Sequence, residues 1–168
     1  HPLSEDFFNQ FSFKYGLGLG LFPNTHFSSL GFSSTNYFSG LSFSVDYLRQ
    51  DQFTLGLHYL TSSKRALSLI SDGHYSNTRV YFESYHITLA KTLYHEFGFQ
   101  VDGHVGLGLT IGGYQTSTIN ETIGGAFGYK ERIGNTMSGS IGLEASYFLN
   151  PYWSINLDSS YFYANIKT

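Results

Sequence analysis

Residues 97–112 read FGFQVDGHVGLGLTIG, and the reading of this stretch decides the fold. Its odd positions are Phe97, Phe99, Val101, Gly103, Val105, Leu107, Leu109 and Ile111. Its even positions are Gly98, Gln100, Asp102, His104, Gly106, Gly108, Thr110 and Gly112. A strict period of two sends alternate side chains to opposite faces of an extended strand. One face is apolar from end to end, and the other carries glycines, an amide, a carboxylate and an imidazole. Strands of soluble sandwiches average about 5–6 residues, whereas about 9–11 tilted residues cross a bilayer. The pattern therefore predicts a membrane strand with its apolar face turned to lipid.

Working outward, the same alternation recurs. Phe11–Phe22 sets Phe11, Phe13, Tyr15, Leu17, Leu19 and Leu21 against Ser12, Lys14, Gly16, Gly18 and Gly20, and Pro23-Asn24-Thr25 ends it. A loop follows, dotted with Phe27, Leu30 and Phe32. About Phe38–Leu48 turns Leu41, Phe43, Val45 and Tyr47 one way and Ser42, Ser44 and Asp46 the other, before the polar turn Arg49–Gln52. Phe53 to about Ser71 places Phe53, Leu55, Leu57 and Tyr59 outward; Asp72-Gly73 suits a tight turn with positive φ at both residues. About His74–Lys91 returns with Tyr81, Tyr85, Ile87 and Leu89 outward, and a short connection at Thr92–Glu96 leads into the opening stretch. Tyr114–Lys130 is polar and predicts a second projecting hairpin. About Met137–Leu149 sets Ile141, Leu143, Ala145 and Tyr147 against Ser140, Gly142, Glu144 and Ser146; Asn150-Pro151-Tyr152 turns the chain into Trp153–Tyr163.

The composition agrees. The 168 residues are enough for one domain, taken as residues 1–168, and only 12% are charged while 18% are aromatic. A typical soluble domain is about 25% charged. No apolar run approaches the ~20 residues of a membrane helix. Cysteine is absent, and the net charge of −3 offers no basic footprint for nucleic acid. The opening HPLSEDFF lacks the pattern of a signal peptide and is read as the start of a mature chain.

Connections alternate between long and short, as in bacterial outer-membrane barrels with long extracellular loops and short periplasmic turns. Phe11, Phe13, Tyr47, Phe53, Phe97, Phe99, Tyr147, Tyr152 and Trp153 fall near the short-turn end, as a lower aromatic girdle would. Tyr37, Phe38, Tyr59, Tyr81, Tyr85 and Tyr161 fit an upper one. The expected fold is all-β, a small antiparallel up-and-down transmembrane barrel. Seven strands are visible and eight are expected, because an unpaired edge is costly in lipid. The eighth lies beyond Lys167-Thr168, inside a loop, or on a partner; the first is the favoured reading.

Lys14, Asp46, His58, His86, Asp102, His104, Glu144 and Asp158 share the inward parity. A small barrel has room inside for side chains but not for a wide aqueous channel, so they predict an internal polar network. His58, His86, Asp102 and His104 are also ligand types for zinc or nickel, an alternative to packing. The inward glycines lie mid-strand with no following helix, so they make room for large neighbours instead of forming a dinucleotide loop. No cofactor is expected.

In its whole-length pattern the chain resembles the small outer-membrane barrels of the OmpX and OmpA transmembrane type. That resemblance implies a location in the bacterial outer membrane among lipid and lipopolysaccharide. It also implies a non-enzymatic role in envelope integrity, adhesion, or as an accessory subunit, with protein partners at the outer hairpins or an open barrel edge. Locally, His74-Tyr75-Ser76-Asn77 followed by Glu83-Ser84-Tyr85 resembles the HYSN…ESY segment of PagL-type lipid A deacylases. That resemblance implies Ser76 as nucleophile, His74 as base and Glu83 as the group that orients it. On one strand, however, His74 and Ser76 have one parity and Glu83 the other. A narrow pore is a third possibility, with the charged layer across it.

Overall fold

The computed structural model describes residues 11–23, 35–48, 53–71, 74–120 and 125–164. Seven strands follow one another: β1 (Phe11–Pro23), β2 (Thr35–Leu48), β3 (Phe53–Ser71), β4 (His74–Glu96), β5 (Phe99–Asn120), β6 (Gly125–Asn150) and β7 (Trp153–Ala164). They form one sheet in the order β1-β2-β3-β4-β5-β6-β7, every neighbouring pair antiparallel. Among the described residues there is no helix. The loop with Phe27, Leu30 and Phe32, the Arg49–Gln52 turn, the Asp72-Gly73 turn and Lys167-Thr168 lie outside the described residues.

The sheet curls. Lys14 of β1 reaches Glu144 of β6 across the concave side, and Phe162 of β7 stacks on His86 of β4 with ring centroids 5.3 Å apart. These contacts give the sheet the form of an open half-barrel, with β1 and β7 as its two edges. Seven alternating strands leave those two edges running in the same direction.

The distribution of polarity is the reverse of a soluble domain. Leu17, Leu107 and Leu157 on the convex face are 83%, 71% and 75% exposed, whereas Thr110, Ser84 and Asp46 on the concave face are 0%, 2% and 3% exposed. Among the described residues the buried hydrophobic side chains are Val80 and Phe82. Leucine and valine dominate ordinary interiors, and a buried polar group is the informative observation.

Local departures from alternation explain where the sequence-based boundaries shift. The segment Thr92–Glu96 continues β4, and the turn is Phe97-Gly98, with φ of 52° and 76°. Both central residues at positive φ make it a type I′ turn, which normally selects Asn or Asp before Gly. Phenylalanine in this left-handed region costs about 1–2 kcal/mol, and so a Phe-Gly pair gives no turn signal from sequence. The β4–β5 register shifts between Thr92 and Tyr94, and the β6–β7 register between Phe148 and Asn150. Each bulge adds one residue: Leu93 and the next residue, Tyr94, both lie on the convex face (61% and 47% exposed), while Leu149 (59% exposed) is inserted between Phe148, the partner of Ser154, and Asn150, the partner of Trp153. At the opposite end β5 extends to Asn120 and β6 begins at Gly125, so most of Tyr114–Lys130 is a paired ribbon.

Candidate functional site

The concave face gathers the inward polar residues into layers. Nearest the short turns, Gln100 donates from Nε2 to both carboxylate oxygens of Asp102, at 2.9 and 2.8 Å. Above it Lys14 donates to Asp46 Oδ2 at 3.1 Å and to Glu144. The carboxylates are buried, at 4% and 10% side-chain exposure, while Lys14 is at 26%. His58 Nε2–H donates to the other oxygen of Asp46 at 3.0 Å. Lys14 thus bridges two strands that are not neighbours, and its ammonium lies between two carboxylates that would otherwise be desolvated without a counter-charge.

His104 faces Asp158 on the other side of β6. Its Nε2 lies 2.8 Å from Asp158 Oδ2 and 3.4 Å from Ser160 Oγ, and Ser160 donates to the same carboxylate. A carboxylate accepts only, so Nε2 carries the hydrogen and the tautomer is set. His104 Nδ1 is buried and has no hydrogen-bond partner among the described residues.

His86 belongs to a third group, made of hydroxyls. Ser84 and Thr110 lie 2.7 Å apart, Thr110 donates to Ser138 at 2.8 Å, and Ser138 lies 2.8 Å from His86 Nε2. His86 Nδ1 lies 3.2 Å from Ser140 Oγ, so both ring nitrogens have a hydroxyl partner. The result is a continuous hydrogen-bonded chain from Thr110 through Ser138 and His86 to Ser140, capped by the His86–Phe162 stack. Phe162 also stacks on Phe82, at 6.3 Å. Sequence reasoning did not single out Ser84, Thr110, Ser138, Ser140 or Phe162. Their signal was the same even parity as the charged residues.

Glycines hold the imidazoles in place. Gly108 is the cross-strand partner of His86, and Gly142 that of His104. A Cβ at Gly142 would lie 2.8 Å from His104 Nε2, and one at Gly108 would lie 2.7 Å from His86 Cδ2. Gly56 stands opposite Asp46, where a Cβ would lie 3.0 Å from His58 Nε2. Each ring lies over space that any larger partner would fill.

The four candidate metal ligands are directed to different partners: His58 to Asp46, His86 to serines, Asp102 to Gln100 and His104 to Asp158. Among the described residues no three His, Cys, Asp or Glu side chains are grouped to hold a metal. His74, Ser76 and Glu83 all belong to β4, which pairs without interruption with β5 from His74 to Thr92. Ser76 and Glu83 are seven positions apart, about 23 Å of strand. Ser76 Oγ lies 3.4 Å from Thr78 Oγ1, and Glu83 accepts from Tyr85 OH at 3.1 Å on the convex face. The geometry brings together neither nucleophile with orienter nor base with orienter. Searches of family models, curated proteins and solved structures gave no match to the chain.

Proposed function

We propose that the chain is a bacterial outer-membrane β-barrel whose convex face meets lipid. The observation that carries this reading is the inverted burial, with leucine, isoleucine and aromatic side chains exposed outside and charged and hydroxyl side chains buried inside. The extent of the apolar face supports it. On β4 outward charges stand at Glu83 and Lys91, with Tyr85, Ile87 and Leu89 between them. Eight residues span about 26 Å along a strand, or about 20 Å at a tilt near 40°, close to the ~25 Å apolar band of membrane barrels. Aromatic pairs mark both margins: Phe11–Tyr47 and Tyr94–Phe99 below, Tyr59–Tyr85 above. Lys91 lies over the Phe53 ring at 5.6 Å, placing a cation at the lower margin.

In the bilayer the barrel has eight strands. β1 and β7 run the same way, so one further strand, antiparallel to both, satisfies both free edges; in lipid every backbone group needs a partner. The polar layers fill the lumen, so the role is not a wide pore. The β3–β4 and β5–β6 ribbons extend beyond the apolar band and are the surfaces that meet partners, in envelope integrity, adhesion or as part of a larger envelope assembly.

Leu107 tests the membrane reading. It pairs with Ile87, which is midway between Glu83 and Lys91, and it is 71% exposed. Leu107→Arg is expected to destabilise the protein by about 2–4 kcal/mol in lipid vesicles, the cost of arginine near a bilayer midplane. On a surface facing water the same change stays within about 0.5 kcal/mol. Urea unfolding of the two proteins from vesicles gives the difference, and a value near zero sinks the reading.

A further inference from the structure

We infer that Arg65 and Arg79 form a clamp for one phosphate group of a lipid headgroup, on the convex face just beyond the upper margin of the apolar band. The inference rests on the membrane reading above and adds one particular lipid contact to it.

The two arginines are direct cross-strand partners, on β3 and β4. Thr78 and Val80 on either side of Arg79 are 2% and 4% exposed, so Arg79 has the outward parity, and Arg65 opposite it is exposed. Such partners hold their Cβ atoms about 4.5–5.5 Å apart, and like charges so placed repel. The same row continues through Gln115 to Glu131. That carboxylate accepts from Gln115 Nε2 at 2.8 Å and from Tyr81 OH at 3.2 Å. Among the described residues no ion pair joins either arginine to a carboxylate. Two guanidiniums side by side suit an anion from outside the chain, with oxygens enough for both planar forks. Phosphate is such an anion.

Position identifies what carries the phosphate. The Arg79 guanidinium leans back over the Tyr81 ring, 5.7 Å from its centroid, toward the apolar band. Tyr81 stands two positions from Glu83, about 7 Å of strand and about 5 Å of height at a tilt near 40°. The headgroup layer is roughly 5–8 Å deep on each side of a bilayer, so the guanidinium lies at the level of lipid phosphates. Glu83 leaves that level clear, since its carboxylate turns the other way and accepts from Tyr85 OH at 3.1 Å. Below the arginines runs the exposed face of Tyr85, Ile87 and Leu89, where the acyl chains of the same lipid would lie. A soluble phosphate compound would make no use of that face.

The test uses phosphatidic acid, whose headgroup is a bare phosphate. The protein is folded into phosphatidylcholine vesicles containing a minority of phosphatidic acid, and flotation is measured first. Mild detergent then releases the protein for native mass spectrometry. One phosphatidic acid retained per chain, in preference to phosphatidylcholine, is the expected result. Arg65→Gln and Arg79→Gln should each lower that retention about tenfold, the weight of one charge-assisted hydrogen bond. Arg79→Lys keeps the charge but loses the fork and should lower it too, whereas Lys91→Gln at the opposite margin should leave it unchanged. Equal losses in Lys91→Gln and the arginine variants assign the retention to net charge and overturn the clamp, as does equal retention of the two lipids. Displacement of the lipid by millimolar inorganic phosphate overturns the lipid assignment. Failure to float overturns the clamp and the membrane reading together.

Stability gives a second readout, with a sign that depends on the lipid. In phosphatidylcholine alone Arg65→Gln relieves the repulsion, so the ratio of folded to unfolded protein should hold or rise. With phosphatidic acid present the same change should lower that ratio, because the parent alone gains from binding. A fall in both lipids would make Arg65 a residue of the fold and remove the proposal.

Discussion

Lys14→Met is expected to cost the fold about 3–5 kcal/mol, the range for removing one partner from a buried charge cluster. The loss does not come from the ammonium, which retains some access to solvent. It comes from Asp46 and Glu144, whose side chains are 4% and 10% exposed and which would face each other across the lumen without a counter-charge. His58 remains on Asp46 and softens the effect on that side only. Equilibrium unfolding in urea, followed by the gel mobility of folded and unfolded forms, gives the number. The triple variant Lys14→Met, Asp46→Asn, Glu144→Gln is the control. With no charge left to bury, it should recover most of the loss. A single variant within about 1 kcal/mol of the parent would show the cluster to be dispensable.

The second large effect is expected at a glycine. An added Cβ at Gly142 lies 2.6 Å from Ser160 Oγ, 2.7 Å from the Ser159 carbonyl oxygen and 2.8 Å from His104 Nε2. Two of these neighbours are side chains that can move, but the carbonyl belongs to the β6–β7 ladder. Gly142→Ala should therefore cost about 2–3 kcal/mol, typical of forcing atoms into a packed interior, and should separate His104 from Asp158. Adding His104→Ala should not rescue it, because the backbone contact stays. Two other inward glycines serve as comparisons in the same unfolding assay. At Gly16 the close contact is Ser42 Oγ alone, at 2.6 Å, so Gly16→Ala should cost less than about 1 kcal/mol. At Gly18 nothing lies within 4 Å, and alanine should be neutral. Equal effects at positions 18 and 142 would contradict the packing described.

Much of this arrangement was legible from local sequence because a strand's faces depend only on the residue two places away. The parity of Leu107 and Asp102 could be read from their neighbours, and so could the seven strands in chain order. What the sequence hid has identifiable causes. The bulges at Leu93 and Leu149 are single inserted residues between apolar side chains, and such an insertion leaves no trace in composition. The turn at Phe97-Gly98 uses a residue that the turn geometry disfavours. The ribbon from Tyr114 onward, expected as a projecting hairpin, does pair as one, since polar residues form a ladder as well as any others when both faces are outside a core; its uniform polarity left only the strand ends at Asn120 and Gly125 unmarked. In the polar layers, the charged residues announced themselves, but the hydroxyl chain through Thr110 and Ser138 did not, since serine and threonine are common in every setting. Which carboxylate Lys14 would meet depends on how tightly the sheet curls, and no local pattern encodes that.

The strand order has a kinetic consequence. Each strand pairs with its neighbours in sequence, so the ladders join segments close together along the chain, and such contacts form early. The links that draw non-neighbouring strands together are side-chain contacts across the concave face, among them Lys14 to Glu144, across 130 positions, and Phe162 to His86. Pairing can therefore be nearly complete while the sheet is still open, with curling as the closing step. Lys14 then acts as a latch that engages after the rate-limiting barrier. On that order of events the Lys14→Met protein should fold at nearly the parental rate and unfold far faster. The same ammonium that balances the lumen would then set how long the closed form lasts.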